Sequence, residues 1–363
     1  SADDVLVTAT DSSTIDADIV GVAVSAGVGT VGLAASIGSS TARNFIGYQA
    51  DGTLQRAEVH AYLQDTTVQA ADDVAVTAES LASIEARVAG LAAGISAGAV
   101  AGAASAAAAD AVNKVAISVK SYVDGTPDGT NVGTRAGRIE AGDLVTVSAK
   151  DTSTIYADTV AASVAGTIGL VAGSISIGKS TAENSIRNVV EAYIKSATIA
   201  QANGTVTVNA EENATINSSA TAAALAAAFS LGGLSLAGGG AGTIAEVLST
   251  TRAFVIDSTV DIDGDLTVDA DDHSTANANV TAAAASFGII AAAAAGSSVV
   301  GTVSPTVEAY ISNSRVDADE VTVTANADPK SLLDARGFAV STGASVGVSK
   351  ATATRHLVDL QMK

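Results

Sequence analysis

GDLVTVSAKDTSTIYADTVAASVAGTIGLVAGSISIGKSTAENSIRNVVEAYIKSATI, residues Gly142 to Ile199, is the stretch from which the rest of the chain can be read. It opens on Val145, Val147 and Ala149, passes through Ser, Thr and Asp residues into an uncharged Ala/Gly/Val stretch, and closes on Val-Glu-Ala-Tyr-Ile around Tyr193. The opening recurs as Val5/Val7/Ala9, Val74/Val76/Ala78, Val206/Val208/Ala210, Leu266/Val268/Ala270 and Val321/Val323/Ala325, in steps of 69, 71, 61, 60 and 55 residues. The closing motif keeps pace, placing one aromatic per copy: Tyr62, Tyr122, Tyr193, Phe254 and Tyr310.

A period of this size marks stacked supersecondary units, none able to bury its apolar face alone. The chain therefore reads as one continuous array over residues 1–363, with copies starting near 3, 72, 142, 204, 264 and 319 and the last incomplete. In the first copy Val5, Val7, Ala9, Ile15, Ala17 and Ile19 share one parity, while Thr8, Thr10, Thr14, Asp16 and Asp18 hold the other. That alternation is strand periodicity. From Val20 the split fails, because Val20, Val22 and Val24 are apolar on the formerly polar side. The strand is expected to enter a region covered on both faces, or one whose second face meets something apolar.

Glycines cluster in mid-copy at Gly27-Val28-Gly29, Gly94 to Gly102, Gly166 to Gly169, Gly232-Gly233 and Gly238 to Gly242, which suggests hairpin reversals. Each copy then supplies a long strand out, a long strand back and a shorter one around the aromatic. Turns of the type Asp51-Gly52, Asp124-Gly125 or Asn203-Gly204 come before or after the short strand, and the insert from Asp124 to Gly137 reads as a loop. Helix is the rival for Ala106 to Ala109, Ala222 to Ala228 and Ala291 to Ala295. These runs occupy slots that are strand-like elsewhere, and stacked copies share backbone shape. The expected fold is all-β: a repetitive β-solenoid or stacked long-hairpin array of about six copies of 55 to 71 residues, with a thin Ala/Gly/Val core.

Composition supports the thin core. Hydrophobic residues make up 48% of the chain and aromatics only 3%. Sheets faced with Ala, Gly and Ser can approach closer than the usual spacing of about 10 Å. The formal net charge of −20 argues against nucleic acid and anionic membrane surfaces as partners. With no Cys there is no disulfide framework and no thiolate metal site. No charged residue lies between Glu212 and Glu246 or between Asp272 and Glu308, yet these stretches are too rich in Ala, Ser, Thr and Gly for membrane helices. A membrane β-barrel would carry aromatic girdles that are missing here, so membrane insertion is not expected. The start at Ser1, the lone Met362 and the lack of a basic segment before an apolar one read as a piece of something longer.

Several motifs imitate chemistry. Gly173 to Ser180 fits the phosphate-loop pattern GxxxxGK[ST], but Ala34 to Ser40 and Ser345 to Lys350 fill the same slot without it. Gly27-Val-Gly29-Thr-Val-Gly32 matches a dinucleotide fingerprint with Asp51 19 residues beyond, but LAASIGSS follows it, which is poor helix. Gly94-Ile-Ser96-Ala-Gly98 imitates a nucleophile elbow, while His60, His273 and His356 sit at unrelated slots. Asp261-Ile-Asp263-Gly264-Asp265 starts like a calcium loop, but Ala270 stands where the bidentate Glu belongs. Asp16/Asp18, Asp124/Asp128 and Asp269/Asp271/Asp272 read as solvated edge charges that discourage sheet association. A water-ordering threonine array from Thr8, Thr10, Ser12 and Thr14 or from Thr152 and Thr154 breaks at Glu79, Leu81 and Glu211. No catalytic, cofactor-binding or metal residue is assigned.

The pattern DVxVTA, then ST and DA, then the uncharged stretch and VEAYI, resembles the β-strand repeats of giant bacterial secreted adhesins, the filamentous-haemagglutinin-like and leukotoxin-like exoproteins. The resemblance rests on the slots at Val145/Val147/Ala149 and Val190 to Ile194 and runs over essentially the whole chain. Those families carry more Val/Ile/Asn ladders and less Ala and Gly. The resemblance implies an extracellular or cell-surface, non-catalytic module, a stalk or fibre segment. The expected partners are neighbouring repeats, or self-assembly through sheet edges, and a surface or protein ligand. The alternative is a binding module that offers its Ala/Gly/Val surface to a hydrophobic partner, lipid or other surface.

Overall fold

The computed structural model describes residues 2–125, 137–201 and 204–357. The described residues form strands and turns with no helix, so the Ala-rich runs Ala106–109, Ala222–228 and Ala291–295 are extended. Strands Val5–Asp11, Val74–Ser80, Val145–Asp151, Val206–Glu212, Leu266–Asp272 and Val321–Ala327 make a six-stranded base sheet. Each pairs in parallel with its neighbour and in register, Val5 with Val74, Val145 with Val206 and Leu266 with Val321. Parallel neighbours cannot be joined by tight hairpins, so the chain makes a long excursion between one strand of this sheet and the next.

That excursion begins two residues past the base strand. Segments such as Thr14–Val28 and Val31–Ile46, or the single strands Ser83–Val115 and Thr154–Ile186, run outward to a tip near residue 29, 98 or 169 and then return. Here the structure corrects the hairpin reading. The outward arm is hydrogen-bonded to the outward arms before and after it, Ala162 to Leu91 and Ala223, and the return arm to return arms, Ile175 to Ala104 and Leu236. The two arms of one excursion meet through their side chains. They form an arch in a two-layered fin that stands off the base sheet.

The inner faces of the fin explain the glycine content. A Cβ on Gly90 would lie 1.9 Å from the Ala108 carbonyl oxygen, and on Gly178 or Gly239 2.5 or 2.3 Å from the opposing Ala223 or Ala283 oxygen. Only hydrogen fits between these layers, as the small-residue composition required. Many of the other inner positions are Ala, Ser or Thr, and some of the hydroxyls are bonded across the gap. Ser163 and Ser176 share a hydrogen bond of 2.7 Å, Ser180 donates to the Thr159 carbonyl at 2.8 Å, and Ser235 meets Ser286 at 2.7 Å. Near the root, Asn44 donates to Asn113 and Asn113 to Asn184, each at 2.8 Å, and Asn184 then donates to Ser218. The ladder satisfies buried amides along the stacking direction.

After the fin, strands Ala57–Gln64, Ile117–Asp124, Val189–Lys195, Thr250–Ile256 and Thr306–Ser312 form a five-stranded sheet, followed by a sheet of three- and four-residue strands. The body between these sheets and the base sheet holds the larger apolar residues, including Val74, Val147, Ile155, Ile186, Ile199 and Leu266. Tyr62, Tyr122, Tyr193, Phe254 and Tyr310 stack in a continuous column with centroids 4.8 to 5.1 Å apart and ring planes within 6° of parallel. Beside it, charges alternate: Lys120 pairs with Glu191 at 2.8 Å, and Arg252 reaches Glu191 at 3.5 Å and Glu308 at 2.9 Å. The corner after four of these five strands is left-handed, with φ of 48° at Asp65, 50° at Ser196, 52° at Asp257 and 45° at Asn313.

Candidate functional site

The outward-facing side chains of the fin change character with distance from the body. On the outward arms a row in the half nearer the base reads Asp18, Arg87, Asp158, Ser219, Asn279, Asp334. Four residues further out the row reads Val22, Leu91, Ala162, Ala223, Ala283, Phe338, and two beyond that Val24, Ala93, Val164, Leu225, Ala285, Val340. The return arms repeat this. The row Ile37, Ala106, Ile177, Gly238, Ala294, Val348 lies outside a boundary row that contains Lys179 and Lys350. These side chains are open to solvent, Ile37 at 78% and Val28 at the tip at 87%. The apolar second face expected from Val20, Val22 and Val24 is therefore uncovered in the single chain, and the fin is apolar on both faces and at its tip.

Alternating large and small residues give the return face relief. Leu33, Ile175 and Leu234 stand around Gly102, Ala104 and Gly173 and enclose an open hollow of about 520 Å³. Contiguous apolar surface on a soluble chain, rimmed by charge, marks an interaction face.

A second feature lies inside the body, where the base strands meet the fin. Asp151, Glu212 and Asp272 follow one another in register at the last position of three adjacent strands, and all three are fully buried. This corrects the reading of Asp272 as a solvated edge charge. It shares inward parity with Leu266, Val268 and Ala270, whereas Asp269 and Asp271 face outward. Asp151 accepts from the Ser153 amide at 2.9 Å and its hydroxyl at 2.7 Å, and Asp272 accepts from the Ser274 amide at 3.0 Å and from the Ser249 hydroxyl. Asn188 donates to Asp151 at 2.8 Å and reaches Glu212 at 3.5 Å. Burial, and then the neighbouring Asp151 and Asp272, push the Glu212 carboxyl well above its ordinary range; burial raises Asp151 as well. The same shift favours the neutral carboxyl, which would relieve like-charge repulsion between adjacent strands.

The motifs that imitate chemistry fall into regular structure. Gly173 to Ser180 lies within the strand Thr154–Ile186, so its amides belong to the ladder, while Lys179 faces out and Ser180 bonds inward to Thr159. Gly27 to Gly32 forms the first tip, and Gly94 to Gly98 runs into the second. His60, His273 and His356 occupy the aromatic sheet, the base-to-fin corner and the last return arm. Asp261 lies in the short strand Thr259–Ile262, and Asp263 to Asp265 span the turn into Leu266. Asp16 and Asp18 are exposed, Asp124 pairs with Lys195 at 3.3 Å, and Asp128 lies outside the described residues. Partial burial, and then the neighbouring Asp271, raise Asp269 to about 6. Among the described residues no group of three or more His, Cys, Asp or Glu is placed to hold a metal ion, and no helix is long and apolar enough to cross a membrane.

No protein-family model matches the chain, and neither a curated protein nor a solved structure resembles it significantly.

Proposed function

We propose that the chain is a non-catalytic structural module, a β-solenoid of about six copies that serves as a stalk or fibre segment of a large bacterial surface protein. The observation that carries this reading is the parallel register, which slips by one residue between Phe287 and Ile290 at the last tip. Equivalent positions in base strand, arms and aromatic strand pair with each other from one end of the chain to the other, so almost all main-chain hydrogen bonds run along one axis. Force applied along that axis is shared among all ladders, the arrangement a stalk needs, and the acidic surface keeps it in solution. Stretching single molecules between tags at the two ends tests it: stepwise release of units near 60 residues is expected, and a single low-force rupture of the whole chain would contradict it.

The fin favours a second reading, in which the same module binds. Its outer faces are uncharged over several rows and exposed, and the stacking of the body does not need them. The partner class is a hydrophobic surface. Binding of an environment-sensitive dye to the folded chain, lost when Val164 and Ile175 are both replaced by Glu, is the expected result.

A further inference from the structure

We propose that the return face of the fin is a self-association surface, covered by the same face of a second copy of this chain. The proposal rests on the hydrophobic-face reading above and names its occupant. The face spans six strands and about eight residues of depth, so at about 4.8 Å per strand and 3.3 Å per residue it offers roughly 750 Å². A specific pairwise interface buries about 600 to 1,000 Å² from each partner. Two-fold packing of identical patches meets that requirement with no surface borrowed from the body.

Relief and charge point the same way. The hollow over Gly102 and Gly173 lies beside the projecting Leu33 and Ile37, 71% and 78% exposed, so each copy presents both knobs and a receptacle, as interdigitating sheet faces do. When the fins overlap in opposite directions, the tip of one reaches the Lys179/Lys350 row of the other, and the uncharged rows cover each other. The two acidic bodies then stand at opposite ends of the overlap, separated by more than the screening length of about 8 Å in physiological salt.

Sedimentation velocity of the full chain, with far-ultraviolet circular dichroism as the check on folding, tests this. Wild type is expected to sediment as a dimer at micromolar concentration. I175E/I177E, on the return face, raises the dimer Kd by at least about 100-fold, whereas V164E/L225E, on the opposite face, leaves the dimer intact. L33E/I37E on the first tier makes the same test should the inner-tier variant not fold. A monomeric wild type, or a dimer indifferent to both return-face variants, overturns the proposal. A monomer that binds phosphatidylcholine vesicles or the dye overturns only the pairing and keeps the hydrophobic-face reading; a monomer that binds neither overturns both.

Discussion

Asn188 donates its amide to Asp151 at 2.8 Å and reaches the Glu212 carboxyl at 3.5 Å, so a neutral side chain stands between two buried acids in adjacent strands. Its carbonyl accepts from the Ile117 amide at 3.0 Å, which ties the acidic ladder to the aromatic sheet. Asn188→Ala would remove the partner of the buried Ile117 amide and leave Asp151 to Ser153. A loss of roughly 1–3 kcal/mol in urea unfolding is expected.

Glu212→Gln separates charge from shape. Because the folded carboxyl binds its proton more tightly than the unfolded one, the unfolded state releases protons first as pH rises above the ordinary value of about 4.5. Stability therefore falls as pH climbs from there toward the raised folded value. The Gln variant should show a flatter stability curve as pH rises above that ordinary value, and should match or exceed wild type at the upper end. An unchanged slope in equilibrium unfolding would show that Glu212 is ionised in the fold.

Glycines on the two faces of the fin should respond oppositely. Gly90→Ala forces a methyl against the Ala108 carbonyl and should cost about 1–3 kcal/mol. Gly166→Ala and Gly240→Ala, whose new methyls meet nothing within 4 Å, should be neutral or stabilising by up to about 1 kcal/mol. Thermal melts of the three variants give the comparison.

Ser196 sits at φ 50° with its buried hydroxyl unpartnered. Glycine removes both defects, so Ser196→Gly should stabilise by about 1 kcal/mol despite the added freedom of the unfolded chain. The same change at Asn313, where the side chain is exposed and bonded to Asp257, should gain less.

Tyr193→Ala removes the middle of the aromatic column and two stacked contacts with Tyr122 and Phe254. Beyond the area lost, each pair contributes about 0.5–1.5 kcal/mol, so this change should cost more than Tyr310→Ala at the column's end. Denaturant midpoints of the two variants decide it.

Much of this was legible from residue order. The parity of Val145, Val147 and Ala149 sets which face is buried, and one aromatic per copy foretells a column, because register in a parallel sheet superposes equivalent residues. Asn44, Asn113 and Asn184 recur at the copy spacing, and their ladder was readable in the same way. The hairpin misreading has a physical origin. Strand alternation says which side of a strand a residue faces and nothing about which strand supplies the hydrogen bonds. The distinguishing signal was the placement of Gly90, Gly178 and Gly239 on the inner parity with Val and Ile on the outer, which fits two sheets meeting face to face. Asp272 was misplaced because its charge was weighed above its parity with Leu266 and Val268. The open second face at Val20, Val22 and Val24 was beyond sequence reading, since alternation cannot tell a covered apolar face from a bare one.

The central claim is that arms pair with neighbouring copies and only face their own return arm. Because the chain has no native Cys, engineered pairs report this cleanly. Asp158 and Ser219 are register partners on one fin face, while Asp158 and Thr181 lie on opposite faces of the arch, the pair that a hairpin would bring side by side. Under mild oxidation Asp158→Cys/Ser219→Cys should form an intramolecular disulfide and Asp158→Cys/Thr181→Cys should not. The reverse outcome would contradict the arch.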